Sequence, residues 1–271
     1  MAGSRQFVLL ALLVFLAMGA PAQAQPAKSE FQPRVGQAGK DVVWVPTPQA
    51  LVDMMLDMAK ATPNDYVMDL GSGDGRTVIT AAKRGIRAHG IEYNPDMVEL
   101  SKRNAANEGV SDKATFAKAD LYESDFSQAT VITMFLLPEI NLKLRPRLLN
   151  LKPGIRIVSN TFTMGEWGPD ERAAVDQDCF SWCTALLWIV PAKVEGMWKL
   201  ADGELTLKQS YQMLSGTLKN SAGTTQITGG LRGEQITLSG GGKEYGGRVN
   251  GDTMTGLVLG GGNWQARRGT N

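Results

Sequence analysis

The sequence predicts an α/β domain, a parallel sheet with helices on both faces, followed by a small antiparallel all-β domain. Three observations predict it. Apolar strand-like runs alternate with helical patterns up to about Val190, as expected when crossover helices cover a sheet. The first such run enters the glycine-rich stretch "VMDLGSGDGRTV", Val67 to Val78, and a helical pattern leaves it. Glycine and proline also divide the chain: 18 of the 31 glycines follow residue 193, whereas the last proline is Pro191.

Taken in order, "VDMMLDMAKA" is a covering helix, with Met54, Met55 and Met58 in the core. "YVMDL" is a buried strand and "TVITAAKR" the helix after the glycine loop. "RAHGIE" is a second strand. "PDMVELSKRNAANEG" starts with Pro95 in its first turn and stops at Gly109, standard helix punctuation. "ATFAKAD" and "TVITMFLL" are further strands. "PEINLKLRPRLLNL" is helical at least to Pro146, and "GIRIVSN" is a fifth strand. Beyond residue 193, short alternating runs such as "ELTLKQ", "EQITLSG" and "TMTGLVL" read as hairpins. "GGLRGEQIT" from Gly229 and "GRVNGDTMT" from Gly247 echo one another. Each is a strand, a tight Gly-Glu or Gly-Asp turn, and a strand. Glu234 and Asp252 thereby belong to turn chemistry. Trp198 and Trp264 are placed to plug a small barrel or sandwich.

The domain plan is a signal peptide over residues 1–24, a flexible lead-in over 25–40, an α/β domain over 41–192 and a glycine-rich β-domain over 193–271. The signal rests on Arg5, the apolar run Phe7 to Ala20 and the small-x-small site Ala22-Gln23-Ala24. The run is short for a membrane span, which needs about 20 residues; an uncleaved anchor or an organellar segment is the alternative. A periplasmic or secreted location follows. Cys179 and Cys183, in "CFSWC", suit either a local disulfide or two half-buried apolar thiols. No metal site is expected, because the single histidine, His89, lies far from both and reads as structural. The net charge of +1 and the lack of a like-charge block argue against a nucleic-acid partner. Oligomeric state is left open.

"DLGSGDG" is neither G-x-G-x-x-G nor a phosphate loop ending in G-K-[ST]. Asp69 and Asp74 would repel a pyrophosphate and suit an ammonium group. Glu92 ends the second strand about 20 residues after the loop, where an acid can accept from both ribose hydroxyls. Asp120 ends the third strand; it can accept from an adenine amine or serve as a turn or cap residue. Together these sites fit an adenosine bearing an amino acid and no phosphate.

From about Val42 to Trp167 the chain resembles the class I S-adenosylmethionine-dependent methyltransferases. It is most similar to the mitochondrial protein-lysine methyltransferases acting on the ATP synthase c-subunit and the adenine nucleotide translocase. The resemblance rests on "VWVPTP", "VMDLGSGDGRTVITAAKRG", "GIEYNPDMVELSKRNA", "ADLYESDF", "VITMFLLPEINLKLRPRL" and "GIRIVSNTFTMGEW", in that order. It implies a Rossmann-like seven-stranded sheet with an antiparallel last strand, residues 170 to 190 supplying the last two strands. It implies S-adenosyl-L-methionine as cofactor, with Asp69, Gly71 and Gly73 in its loop and Glu92 as the ribose acid. Asp120 becomes the adenine-side acid, Tyr93 stacks near the adenosine, and Thr47 closes the methionine end. Phe135, Pro138 and Trp167 are candidates to line the substrate side, or else to pack in the core. The absence of Asn-Pro-Pro-Tyr at "FLLP" speaks against an amide or nucleobase acceptor. The expected function is methylation of a protein lysine, with no residue declaring itself a general base. The alternatives are a small-molecule or lipid methyltransferase, or an exported binding protein on the same scaffold.

Overall fold

The computed structural model describes residues 31–269; the predicted signal segment lies outside them. From Gln32 onward the chain forms one compact unit. Among the described residues, no helix is long and apolar enough to cross a membrane.

The first half is a seven-stranded sheet in the order β3-β2-β1-β4-β5-β7-β6. β1 (Tyr66–Leu70), β2 (Arg87–Glu92), β3 (Ala114–Lys118), β4 (Val131–Met134) and β5 (Arg156–Asn160) are parallel, whereas β7 (Thr184–Ile189) runs antiparallel to both β5 and β6 (Glu171–Ala174). The central strands are largely buried because both faces are covered, with every residue of β4 buried; the polar residues among them, Asp69, Thr133, Ser159 and Asn160, sit toward the carboxyl ends. α1 (Gln49–Met58), α2 (Arg76–Lys83) and α3 (Pro95–Asn107) carry one core face of the sheet, which includes Leu51, Leu56, Val78 and Val98. α4 (Pro138–Leu149) covers the other through Ile140, Leu144 and Leu148. α3 starts where its sequence says: Asn94 Oδ1 accepts from Asp96 N, and Pro95 follows the cap.

The second half is a closed antiparallel barrel of β8 (Gly196–Lys199), β9 (Gly203–Ser210), β10 (Met213–Asn220), β11 (Gly223–Arg232), β12 (Gln235–Gly240), β13 (Lys243–Asn250), β14 (Thr253–Val258) and β15 (Asn263–Arg268). The two echoing stretches are successive hairpins. Arg232 faces Gln235 across the Gly233-Glu234 turn, and Asn250 faces Thr253 across Gly251-Asp252. Both turn glycines have positive φ, 64° and 55°, as a glycine-first two-residue hairpin turn needs. Trp198 is wholly buried and Trp264 nearly so, among the leucines, isoleucines and Met254 that fill the interior.

The sheet and the barrel share contacts. Tyr211, at the β9–β10 turn, stacks on Trp167 at 6.3 Å, Gln212 Nε2 donates to Gly168 O, and Arg232 pairs with Glu171 at 3.2 Å. The lead-in departs from its expected flexibility from Arg34 onward. Gly36 N donates to Trp44 O, Trp44 N donates to Gln37 O, and Ala38 bridges Val43. Paired main-chain groups of this kind hold the strap folded.

Candidate functional site

The site opens where the carboxyl ends of β1, β2 and β4 meet. The strand order reverses between β1 and β4, so crossovers leave in opposite directions and a crevice forms. The strap 37–47 forms its opposite wall.

The glycine loop is shaped by close approach. Gly73 has φ 54°, and a Cβ on it would lie 2.7 Å from Trp44 Nε1. Only glycine lets the loop lie flat beneath the strap. Its carbonyls are satisfied from α3: Ser101 Oγ donates to Gly73 O and Asn104 Nδ2 to Asp74 O. Gly71 N and Ser72 N donate to Ile91 O. Gly71 also lines the cavity.

Four carboxylates surround the loop and play different parts. Asp69 is buried at the end of β1 and accepts from Thr133 Oγ1 at 2.6 Å. Burial raises its pKa to about 7; the Thr133 and Thr77 hydroxyls oppose the rise, and the charges of Glu92 and Asp74 add to it. Asp74 is taken by Arg76, which grips both its oxygens and also donates to Thr47 O at 2.9 Å. That ties the loop to the strap. Glu92 accepts from Gly73 N through Oε2 and from Asn94 N through Oε1, each at 2.9 Å. A carboxylate oxygen accepts more than one hydrogen bond, so both retain acceptor capacity toward the cavity. Asp120 caps the turn after β3, accepting from Tyr122 N at Oδ1, and pairs at Oδ2 with Lys40 at 2.5 Å. The Lys40 ammonium holds the Asp120 carboxyl below its ordinary value. It lies 4.9 Å from the Tyr93 ring centroid and 5.6 Å from that of Tyr122.

At the opposite end Thr47 is nearly buried and accepts from Asn160 Nδ2 at 3.3 Å. Phe135 follows β4 into the cavity wall, where its ring stacks on Phe162 at 5.8 Å and meets Trp182 at 6.0 Å. Trp182 sits in a loop closed by a Cys179–Cys183 disulfide. Thus Thr47, Asp69, Gly71, Gly73, Glu92, Tyr93, Asp120 and Phe135 converge on one cavity. Two candidates do not. Trp167 is wholly buried in the core between Trp188 and Tyr211, because the barrel covers its outer face. Pro138 opens α4 instead of lining the cavity, its fixed φ suiting a first helical turn. His89 is bonded to Thr115 across β2 and β3, and burial lowers its pKa. Among the described residues, no cluster of three or more His, Cys, Asp or Glu could hold a metal.

Lys40, Trp44, Arg76, Asn160, Phe162 and Trp182 escaped the sequence reading. Trp44, Arg76, Asn160 and Phe162 stand inside the motifs that carry the resemblance, but what each touches across the site, as Arg76 and Asn160 do at Thr47, is decided only by the fold.

The ANTKMT methyltransferase domain family matches residues 69–171. A protein-lysine N-methyltransferase of Saccharolobus islandicus (strain REY15A) is 44% identical over 138 residues, 50% of this chain and 86% of that protein. The Homo sapiens lysine N-methyltransferase of the ATP synthase c-subunit is 36% identical over 128 residues. That match spans 47% of this chain and about half, 54%, of the human protein. An RNA methyltransferase from Salinibacter ruber, crystallised with S-adenosyl-L-homocysteine, is 45% identical with a TM-score of 0.52, covering 55% of this chain and 96% of that one. With its seven-stranded sheet and glycine loop, the chain belongs to the S-adenosylmethionine-dependent methyltransferases.

Proposed function

We propose that this methyltransferase acts on the side-chain amine of a protein lysine. The observation that carries the reading is the acceptor-side wall. Phe135 and Leu136 line it where amide- or base-modifying enzymes carry Asn-Pro-Pro-Tyr, and they offer an aromatic and apolar surface with no side-chain amide. The protein-lysine methyltransferase relative supports the same choice.

The cavity residues fit the cofactor. Glu92 keeps acceptor capacity for two ribose hydroxyls. Asp120 accepts from the adenine amine once Lys40 yields its place, and Tyr93 flanks the ring. Asp69 and the loop at Gly71 and Gly73 face the amino-acid portion, where a cation suits a buried acid. Thr47 closes the methionine end. The bound cofactor supplies a sulfonium methyl, transferred in line to a lone pair as the C–S electrons leave on sulfur. The protein's part is alignment and exclusion of water by the strap. A lysine delivers its proton to solvent before attack.

The Salinibacter ruber relative motivates a second reading, an RNA acceptor. Incubation with methyl-tritiated cofactor separates the two. The lysine reading expects acid-stable label in a protein fraction, recovered as methyl-lysine after hydrolysis. Label only in RNA, or only in lipid or small molecules, overturns it. We further propose an exported protein; the Cys179–Cys183 disulfide suits an oxidising compartment, and cell fractionation tests it.

A further inference from the structure

The turn after β5 carries more unpaired polarity and strain than a connection requires. Asn160 is wholly buried, and with Nδ2 bonded to Thr47 its Oδ1 has no partner among the described residues. The next hydroxyl, Thr161 Oγ1, is also buried without one among them. Buried acceptors are rarely left so. Thr161 has φ 60°, an unfavourable conformation for a β-branched residue, and Phe162 N closes the turn onto Asn160 O at 2.6 Å. Strain of this kind concentrates where a site needs a fixed geometry. The turn abuts the cofactor cavity through two residues that line it: Thr47, bonded to Asn160, and Phe135, stacked on Phe162. Trp182 completes an aromatic corner from the disulfide-closed loop.

We propose that this corner is the acceptor-amine site. Asn160 Oδ1 accepts an N–H of the incoming amine, directing its lone pair toward the methyl. Phe135, Phe162 and Trp182 pack along the alkyl chain of the neutral amine, their ring faces favouring the positive charge that develops on nitrogen as the methyl is transferred and the methylated ammonium leaves. The required acceptor is a primary amine on a slim alkyl chain. The assignment rests on the lysine reading above and adds the residues that select for it.

Calorimetry with three ligands tests it: S-adenosyl-L-homocysteine, a nitrogen-centred analogue carrying a butyl arm in place of the methyl, and its aminobutyl counterpart. The intact protein should bind the aminobutyl analogue about tenfold more tightly than the butyl one. Asn160→Ala should abolish that difference and Asn160→Asp should retain it. Trp182→Ala should weaken both arms, and in every variant the gain of each arm is read relative to that variant's own affinity for S-adenosyl-L-homocysteine. Asn160→Leu gives the same reading should the alanine variant fail to fold. If neither arm improves on S-adenosyl-L-homocysteine in the intact protein, the lysine reading itself falls. If the amine-dependent gain appears but survives in both Asn160→Ala and Asn160→Leu, only the assignment of Asn160 is overturned.

Discussion

Lys40 and Asp120, 80 residues apart, meet at 2.5 Å in the wall of the cavity at the carboxyl ends of the sheet. The strap therefore lays a cation on the acid assigned to the adenine amine. Lys40→Met frees that acid and should tighten S-adenosyl-L-homocysteine binding by roughly two- to five-fold, the modest scale of an exposed ion pair. Weaker binding by the variant would mean that the strap lysine helps to hold the nucleoside.

Asp69 makes stability depend on pH. Its folded pKa of about 7 lies above the ordinary value of 3.8. The native state therefore holds a proton that the unfolded chain releases, and stability is greatest at low pH. It should fall as pH rises from about 4 to about 7 and stay low above, by up to about 4 kcal/mol from this group. Asp69→Asn should remove that slope in urea unfolding at pH 5 and pH 8. An unchanged slope in the variant would place the titration elsewhere.

Glu92→Ala should have two consequences. Loss of the ribose acceptor weakens cofactor binding by roughly 30- to 150-fold, and loss of the bonds from Gly73 N and Asn94 N lowers unfolding stability by about 2–3 kcal/mol. Calorimetry and urea melts read the two separately. Unchanged affinity would mean that the ribose lies elsewhere.

Arg268 closes the barrel. Its guanidinium lies 4.4 Å from the Trp198 ring centroid, donates to the carbonyls of Lys193 and Glu195, and bonds Asp252 at 2.9 Å. Arg268→Ala should destabilise the protein by about 2 kcal/mol, and Arg268→Lys should recover little, because an ammonium cannot reproduce a planar fork. Cofactor affinity should not move in either.

We propose that residues 193–271 form a domain with little catalytic part. Protein truncated after residue 192 should still bind S-adenosyl-L-homocysteine, at reduced stability, because Trp167 then loses Tyr211 as its cover. A fragment that is folded by circular dichroism yet fails to bind would make the barrel part of the site.

Local patterns in the sequence were enough to place every strand of the parallel sheet from "YVMDL" to "GIRIVSN", the glycine loop after the first strand, and Asp69, Glu92 and Asp120 at or just past the ends of strands around one cavity. Strand period, helix punctuation and the spacing of acids at strand ends are short-range rules that a chain obeys wherever its neighbours lie. The repeat at Gly229 and Gly247 likewise announced hairpins, since a two-residue turn is written in adjacent residues. Only the tertiary structure decided that the hairpins close into a barrel instead of a sandwich, because closure depends on β15 meeting β8. It alone chose the disulfide over free thiols in "CFSWC", and buried Trp167 under a barrel whose docking no local pattern encodes. It alone brought Lys40 to Asp120 and Asn160 to Thr47. Those pairs are 80 and 113 residues apart. Their energy comes from desolvation and hydrogen bonding between surfaces that exist only once the sheet has formed.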